Sequence, residues 1–243
     1  MRRACCSIPL ALFLFLAAVP GALAQVVGLP LTVRFAATTS AKVFLNPSSP
    51  SSTVRNEYQT ANGLYGAAVE LQFPFSPEIS LSVAAEYLRH LDEGDRPVSL
   101  GGTLRTLPVR DGFIVLPFEV GVVASIPISD ETFRLTMGGG VAVTVFQRIQ
   151  EIAGVGVTTD GIPAGYGIHV SVGFEARLMP GIFAHVSTRF RDPEATVTTR
   201  YARSSTVYNG STLVFPSTPM LTRINMDGMS VSAGLTIDLR TYF

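Results

Sequence analysis

His169-Val-Ser171 together with Glu175 is the constellation in this sequence that could supply a nucleophile, a base and an orienting carboxylate. Residues 169, 171 and 175 share parity, so on an extended segment all three side chains point to one side. Such a spacing on one strand face is also a common accident. The three histidines, His90, His169 and His185, are scattered and lack cysteine or paired-acid company, which argues against a metal centre. Gly138-Gly-Gly140 falls inside an alternating segment and not between a strand and a helix, so it is no phosphate loop. Neither a metal nor a cofactor is expected.

The elements that would carry these residues are strands. The chain is 47% hydrophobic and only 15% charged, against about 25% charged in an average globular domain. Its net charge is zero, which leaves no basic field for nucleic acid. Twenty-two glycines and no tryptophan fit close-packed strands better than a helical bundle. Residues 1–24 read as an export signal: Arg2 and Arg3, an apolar run from Ala11 to Val19, then Ala22 and Ala24 at the positions a signal peptidase reads. Cys5 and Cys6 lie inside that signal, so the expected mature chain, 25–243, has no thiolate and no disulfide.

Past residue 24, period-two alternation recurs in eight segments, while no apolar run reaches the roughly 18 residues of a membrane helix. In the last segment Met229, Val231, Ala233, Leu235, Ile237 and Leu239 alternate with Ser230, Ser232, Gly234, Thr236, Asp238 and Arg240. The other segments set Val33, Phe35, Val69, Val83, Val120, Val141, Val170 and Val186 against a second face that collects the charges. Those charges are Arg34, Lys42, Glu70, Glu86, Glu119, Arg134, Glu175, Arg177, Arg189, Asp238 and Arg240. A lipid-facing Arg or Lys costs about 2–4 kcal/mol at the bilayer midplane, which puts the apolar faces outward and the charges in the lumen. His169, Ser171 and Glu175 then also face the lumen, away from any lipid substrate.

Short links at Ser76-Pro-Glu78, Pro127–Glu131 and Met179-Pro-Gly181 alternate with long ones at 46–62, 92–111, 148–163 and 191–227. The expected fold is all-β: an eight-stranded antiparallel up-and-down transmembrane β-barrel, or ten strands if the Asn209-Gly210 hairpin joins it. Pro117 is expected at a bulge or strand start near the outer rim, because it can donate no ladder hydrogen bond. A soluble lipocalin-like barrel is the fold-level rival, since alternation alone does not say which face is inside.

The ending Leu235-Thr-Ile-Asp-Leu-Arg-Thr-Tyr-Phe243 resembles the sorting signal of outer-membrane barrels, carried by Leu235, Ile237, Leu239, Tyr242 and Phe243. The layout of the chain, with the stretch from Leu116 to Pro127, is similar to the small outer-membrane barrel superfamily of the OmpA membrane-domain and OmpX type. That resemblance implies recognition by the barrel-assembly machinery, contact with outer-membrane lipid and lipopolysaccharide, and both termini in the periplasm. The leading expectation for function is a structural or surface-interaction protein without enzymatic activity, acting through its extracellular loops toward a ligand the sequence does not name. A small porin-like channel is the alternative, and a lipid A-modifying enzyme comes third.

Overall fold

The computed structural model describes residues 29–100, 103–129, 132–226 and 228–242. The signal sequence with Ala22 and Ala24, and the terminal Phe243, lie outside them. Eight antiparallel strands close a ring: β1 (Pro30–Phe44), β2 (Tyr58–Pro74), β3 (Ile79–Leu100), β4 (Thr103–Ser129), β5 (Phe133–Ile152), β7 (Ala164–Met179), β8 (Ile182–Arg191) and β13 (Gly228–Asp238). Closure comes from β5 pairing with β7 and from β13 pairing with both β8 and β1. Closing the ring lets neighbouring strands satisfy one another's backbone polar groups without water, which is what a strand in hydrocarbon requires.

The chosen faces are those of the structure over this ring. Val33, Phe35, Val83, Val120, Val141, Val170 and Val186 are exposed outward, while Arg34, Glu70, Glu86, Glu119, Glu175 and Arg189 are buried inside. Aromatic rings edge the apolar belt. Phe35 stacks on Tyr65 near Tyr87 at one end, and Phe133 stacks on Phe174 at the other, 5.5 Å between centroids. Val170 sits mid-belt on β7. Val170→Arg is therefore expected to cost about 2–4 kcal/mol in a urea titration of the lipid-reconstituted protein. Thr212→Arg, on an exposed strand away from the belt, is expected to change it by no more than about 0.5 kcal/mol.

Above the belt the barrel does not dissolve into loops. A second layer runs in the order β12-β9-β6-β5-β4-β3-β2-β1, with β12 paired to β1. In it β6 (Val155–Thr159), β9 (Glu194–Tyr201) and β12 (Met220–Asn225) stand over β7, β8 and β13. The links expected as loops at 92–111, 148–163 and 191–227 are thus largely strand, and β3 and β4 pair without a break from Leu88–Val115 to Leu100–Thr103. The Asn209-Gly210 hairpin forms its own two-stranded sheet, β10 (Ser205–Tyr208) with β11 (Ser211–Val214), so the barrel has eight strands and not ten.

These upper strands were hidden because their polarity is reversed: apolar side chains point in and charges such as Glu93, Arg110, Arg200 and Asp160 point to water. At Thr39–Ser40 in β1, opposite Asn62–Gly63 in β2, the two strands even change which parity faces inward. Gly63 makes that step at φ +72°, a conformation that a residue with a Cβ rarely adopts.

Two further expectations are corrected. Pro117 lies within β4, facing inward, with no bulge. Its pairs toward β3 skip from Ala85–Phe118 to Leu88–Val115 at unchanged register, so the missing N–H interrupts the ladder instead of bending it. The terminal alternation ends at Asp238. Leu239–Thr241 turns as a 3-10 helix capped by Asp238, which accepts the Arg240 N–H, and Tyr242 donates its hydroxyl to the Pro180 carbonyl.

Candidate functional site

The lumen is filled in layers, each built from the inward faces of strands. The widest is a charge layer. Arg34 of β1 donates to Glu70 of β2 at 2.6 Å, and Arg189 of β8 reaches Glu70 at 3.1 Å and Glu119 of β4. Arg191 of β8 meets Glu86 of β3 at 2.5 Å and Glu119 at 3.4 Å. β8 stands across the ring from β2, β3 and β4, so the pairs made by Arg189 and Arg191 span the lumen, while Arg34–Glu70 joins neighbouring strands. Three guanidinium groups face three carboxylates, and each of the six side chains is below 10% exposed. Balance is what such a layer needs, since an unpaired charge inside would cost several kcal/mol.

Five of the eleven charges expected in the lumen share this layer: Arg34, Glu70, Glu86, Glu119 and Arg189. Glu175 lies inside but in a separate chain of hydrogen bonds. Lys42 is not in the lumen. The parity change at Thr39–Ser40 turns it to the outer wall, over the Tyr58 ring. Arg134, Arg177, Asp238 and Arg240 sit at the short-turn end, where the ring opens. Arg191 is not among the expected charges, because the long link expected at 191–227 begins on it. Carrying the alternation of His185, Ser187 and Arg189 one step further would have found it.

His169, Ser171 and Glu175 are not brought together. Glu175 instead accepts from Thr236 at 2.8 Å and lies 3.3 Å from His185 Nδ1, while His185 Nε2 lies 3.0 Å from the Ser187 hydroxyl. Ser187 continues to Ser232 at 2.8 Å, and Thr236 to Thr32 at 2.9 Å. The order acid, imidazole, hydroxyl is that of a hydrolytic relay. All three groups are buried, however, and the cavity below touches only Glu175. The arrangement is a chain of hydrogen bonds that satisfies buried polar groups.

Beyond the charge layer comes an apolar one. Leu64, Leu88, Phe113, Val115, Phe146, Val197, Ile224 and Met226, all at most 1% exposed, fill the bore where the two layers of strands meet. Above it Arg148, buried, pairs with Asp111 and donates to the Gly112 carbonyl at 2.9 Å. Burial lowers the Arg148 pKa, with Asp111 and Tyr201 opposing, and burial together with Asp111 pushes the Tyr201 phenol up. Hairpin β10–β11 then lays Leu213 and the following Phe215 on Leu107, Val109, Ile152 and Val155. At the opposite end the lumen opens into a vestibule of about 530 Å³.

No family model matches the chain, and no curated protein does. Among solved structures it resembles the outer membrane protein OprG from Pseudomonas aeruginosa, with a TM-score of 0.58 at 12% identity over 87% of this chain and 95% of that one. Neisserial surface protein A is similar with a TM-score of 0.45 at 11% identity, over 86% of this chain and 96% of its own. The outer membrane protease OmpT from Escherichia coli also gives 0.45, at 9% identity, with the same coverage. The fold is that of an outer-membrane β-barrel, and a lipid-facing apolar belt around a charged lumen is the arrangement that environment demands.

Proposed function

We propose that this chain is an integral outer-membrane protein with a sealed lumen, acting structurally or in surface interaction through the part that rises beyond the membrane, without enzymatic activity. The observation that carries the reading is the apolar layer of Leu64, Leu88, Phe113, Val115 and Phe146. Protein interiors this well buried are packed nearly as densely as organic crystals, which leaves no continuous water path. In this reading residues 1–24 are removed, and the barrel-assembly machinery inserts the chain with its short turns and both termini in the periplasm. Outer-leaflet lipid and lipopolysaccharide surround the belt.

The extension then stands in the extracellular medium. It presents Val207 and Val214 on β10–β11 and Leu104 near the tip of β3–β4, each more than half exposed. Apolar side chains held on a rigid scaffold above a membrane suit contact with another surface. Planar-bilayer recording of the purified protein tests the sealed lumen, and no steady conductance is expected. Stepwise conductance that changes on neutralising Glu119 or Arg189 would establish the small-channel alternative. Labelling of a cysteine placed at Asn209 by an impermeant maleimide on whole cells checks the orientation, and strong labelling is expected.

A further inference from the structure

Arg134 is the odd member among the inward-facing arginines. Arg34, Arg189 and Arg191 each have a carboxylate partner within the lumen. Arg134 faces Glu175 directly in the β5–β7 register, yet Glu175 is engaged by His185 and Thr236. Among the described residues no hydrogen bond or ion pair reaches the Arg134 guanidinium. It rests on the buried Phe183 ring, 4.4 Å from the centroid. A ring face steadies a cation without occupying its N–H donors, so the five donors of the fork stay available.

That fork lines the vestibule at the short-turn end, whose volume is in the range of small-ligand sites. Ser80 and Ser125 stand on the same wall. Among the described residues, the carboxylates that share the space are hydrogen-bonded elsewhere: Glu175 as described, Asp238 by the N–H and guanidinium of Arg240, and Glu78 by the Ser76 hydroxyl at the rim. What the described lining leaves unspent is therefore hydrogen-bond donors, a bidentate guanidinium fork with hydroxyls beside it, the chemistry that recognises a carboxylate or phosphate oxyanion.

We propose that the vestibule is an oxyanion-binding site in which Arg134 is the principal ligand-binding group. This goes beyond the function proposed above and concerns the opposite end of the barrel. The oxyanion is either that of a free solute or that of a phospholipid headgroup at the membrane edge, and both would present the same group to Arg134.

Isothermal titration of the full-length protein in maltoside detergent tests this, with inorganic phosphate in one arm and dihexanoyl phosphatidylglycerol in the other. Saturable binding is expected in at least one arm, and the arm that saturates identifies the source. Arg134→Gln is expected to weaken it about tenfold or more, the effect of losing a charged hydrogen-bond donor. Arg134→Lys, which keeps the charge but not the fork, should fall between the two. Heat-modifiable gel mobility confirms that each variant is folded. Absence of saturable binding in both arms, or binding unchanged in Arg134→Gln, overturns the proposal.

Discussion

Replacing Glu119 with Leu is expected to remove about 3–5 kcal/mol of stability, the largest loss from any single substitution in the charge layer. Glu119 is where two arginines converge, since Arg189 and Arg191 both reach it from β8. Without it, three guanidinium groups share two carboxylates in a space with little water. Neither arginine can retreat, because the β13–β8 and β7–β8 ladders hold their strand on both sides. The measurement is the urea midpoint of the folded, heat-modifiable band after reconstitution. Adding Arg189→Leu should recover much of the loss, because it leaves two intact pairs, Arg34 with Glu70 and Arg191 with Glu86. A double variant no more stable than Glu119→Leu would show that charge balance is not what the layer requires.

Phe146→Ala should cost a similar amount, about 3–5 kcal/mol, for a different reason. Phe146 is 1% exposed and belongs to the apolar layer with Leu64, Leu88, Val115 and Ile224. Truncation leaves a void between strands whose hydrogen-bonded registers prevent collapse, so the cavity cost is not relieved. The same variant is expected to stay non-conducting in planar bilayers, because the charge layer below and the hairpin above remain. Loss of stability without gain of conductance separates a packed plug from a gate. A variant as stable as the parent would mean that the layer is loosely packed.

The part of the fold legible in the sequence is the part where the two faces of a strand meet different solvents. From Met229 to Leu235 every second residue faces outward from the ring, and the sequence says so at each step. Above the belt both contrasts reverse, so β6, β9 and β12 carry apolar residues on the inward face and do not match the pattern of a lipid-facing strand. Lys42 illustrates the cost: a change of parity at Thr39–Ser40 moves it from lumen to outer wall, and only Gly63 on the neighbouring strand hints at the irregularity.

The candidate site divides in the same way. That Glu70, Glu86, Glu119 and Arg189 face inward follows from parity. That Arg189 meets Glu119, or that His185 rather than His169 finds Glu175, depends on which strands stand opposite each other, and no local pattern carries that. Arg134 is clearer still. Its significance lies in the partner it does not take, which only the β5–β7 register and the His185 contact reveal.

Strand β1 pairs with β13 over Pro30–Thr38 and with β12 over Lys42–Phe44, and these two partners are consecutive in the chain. One stretch, 220–238, therefore zips both storeys of the barrel shut against a single strand. An N-terminal fragment ending before residue 220 would hold both seams open at once, with the edge of β1 bare along its whole length on that side. Whatever draws β13 onto β1 also brings β12 toward its place, because two residues separate the two strands in the chain.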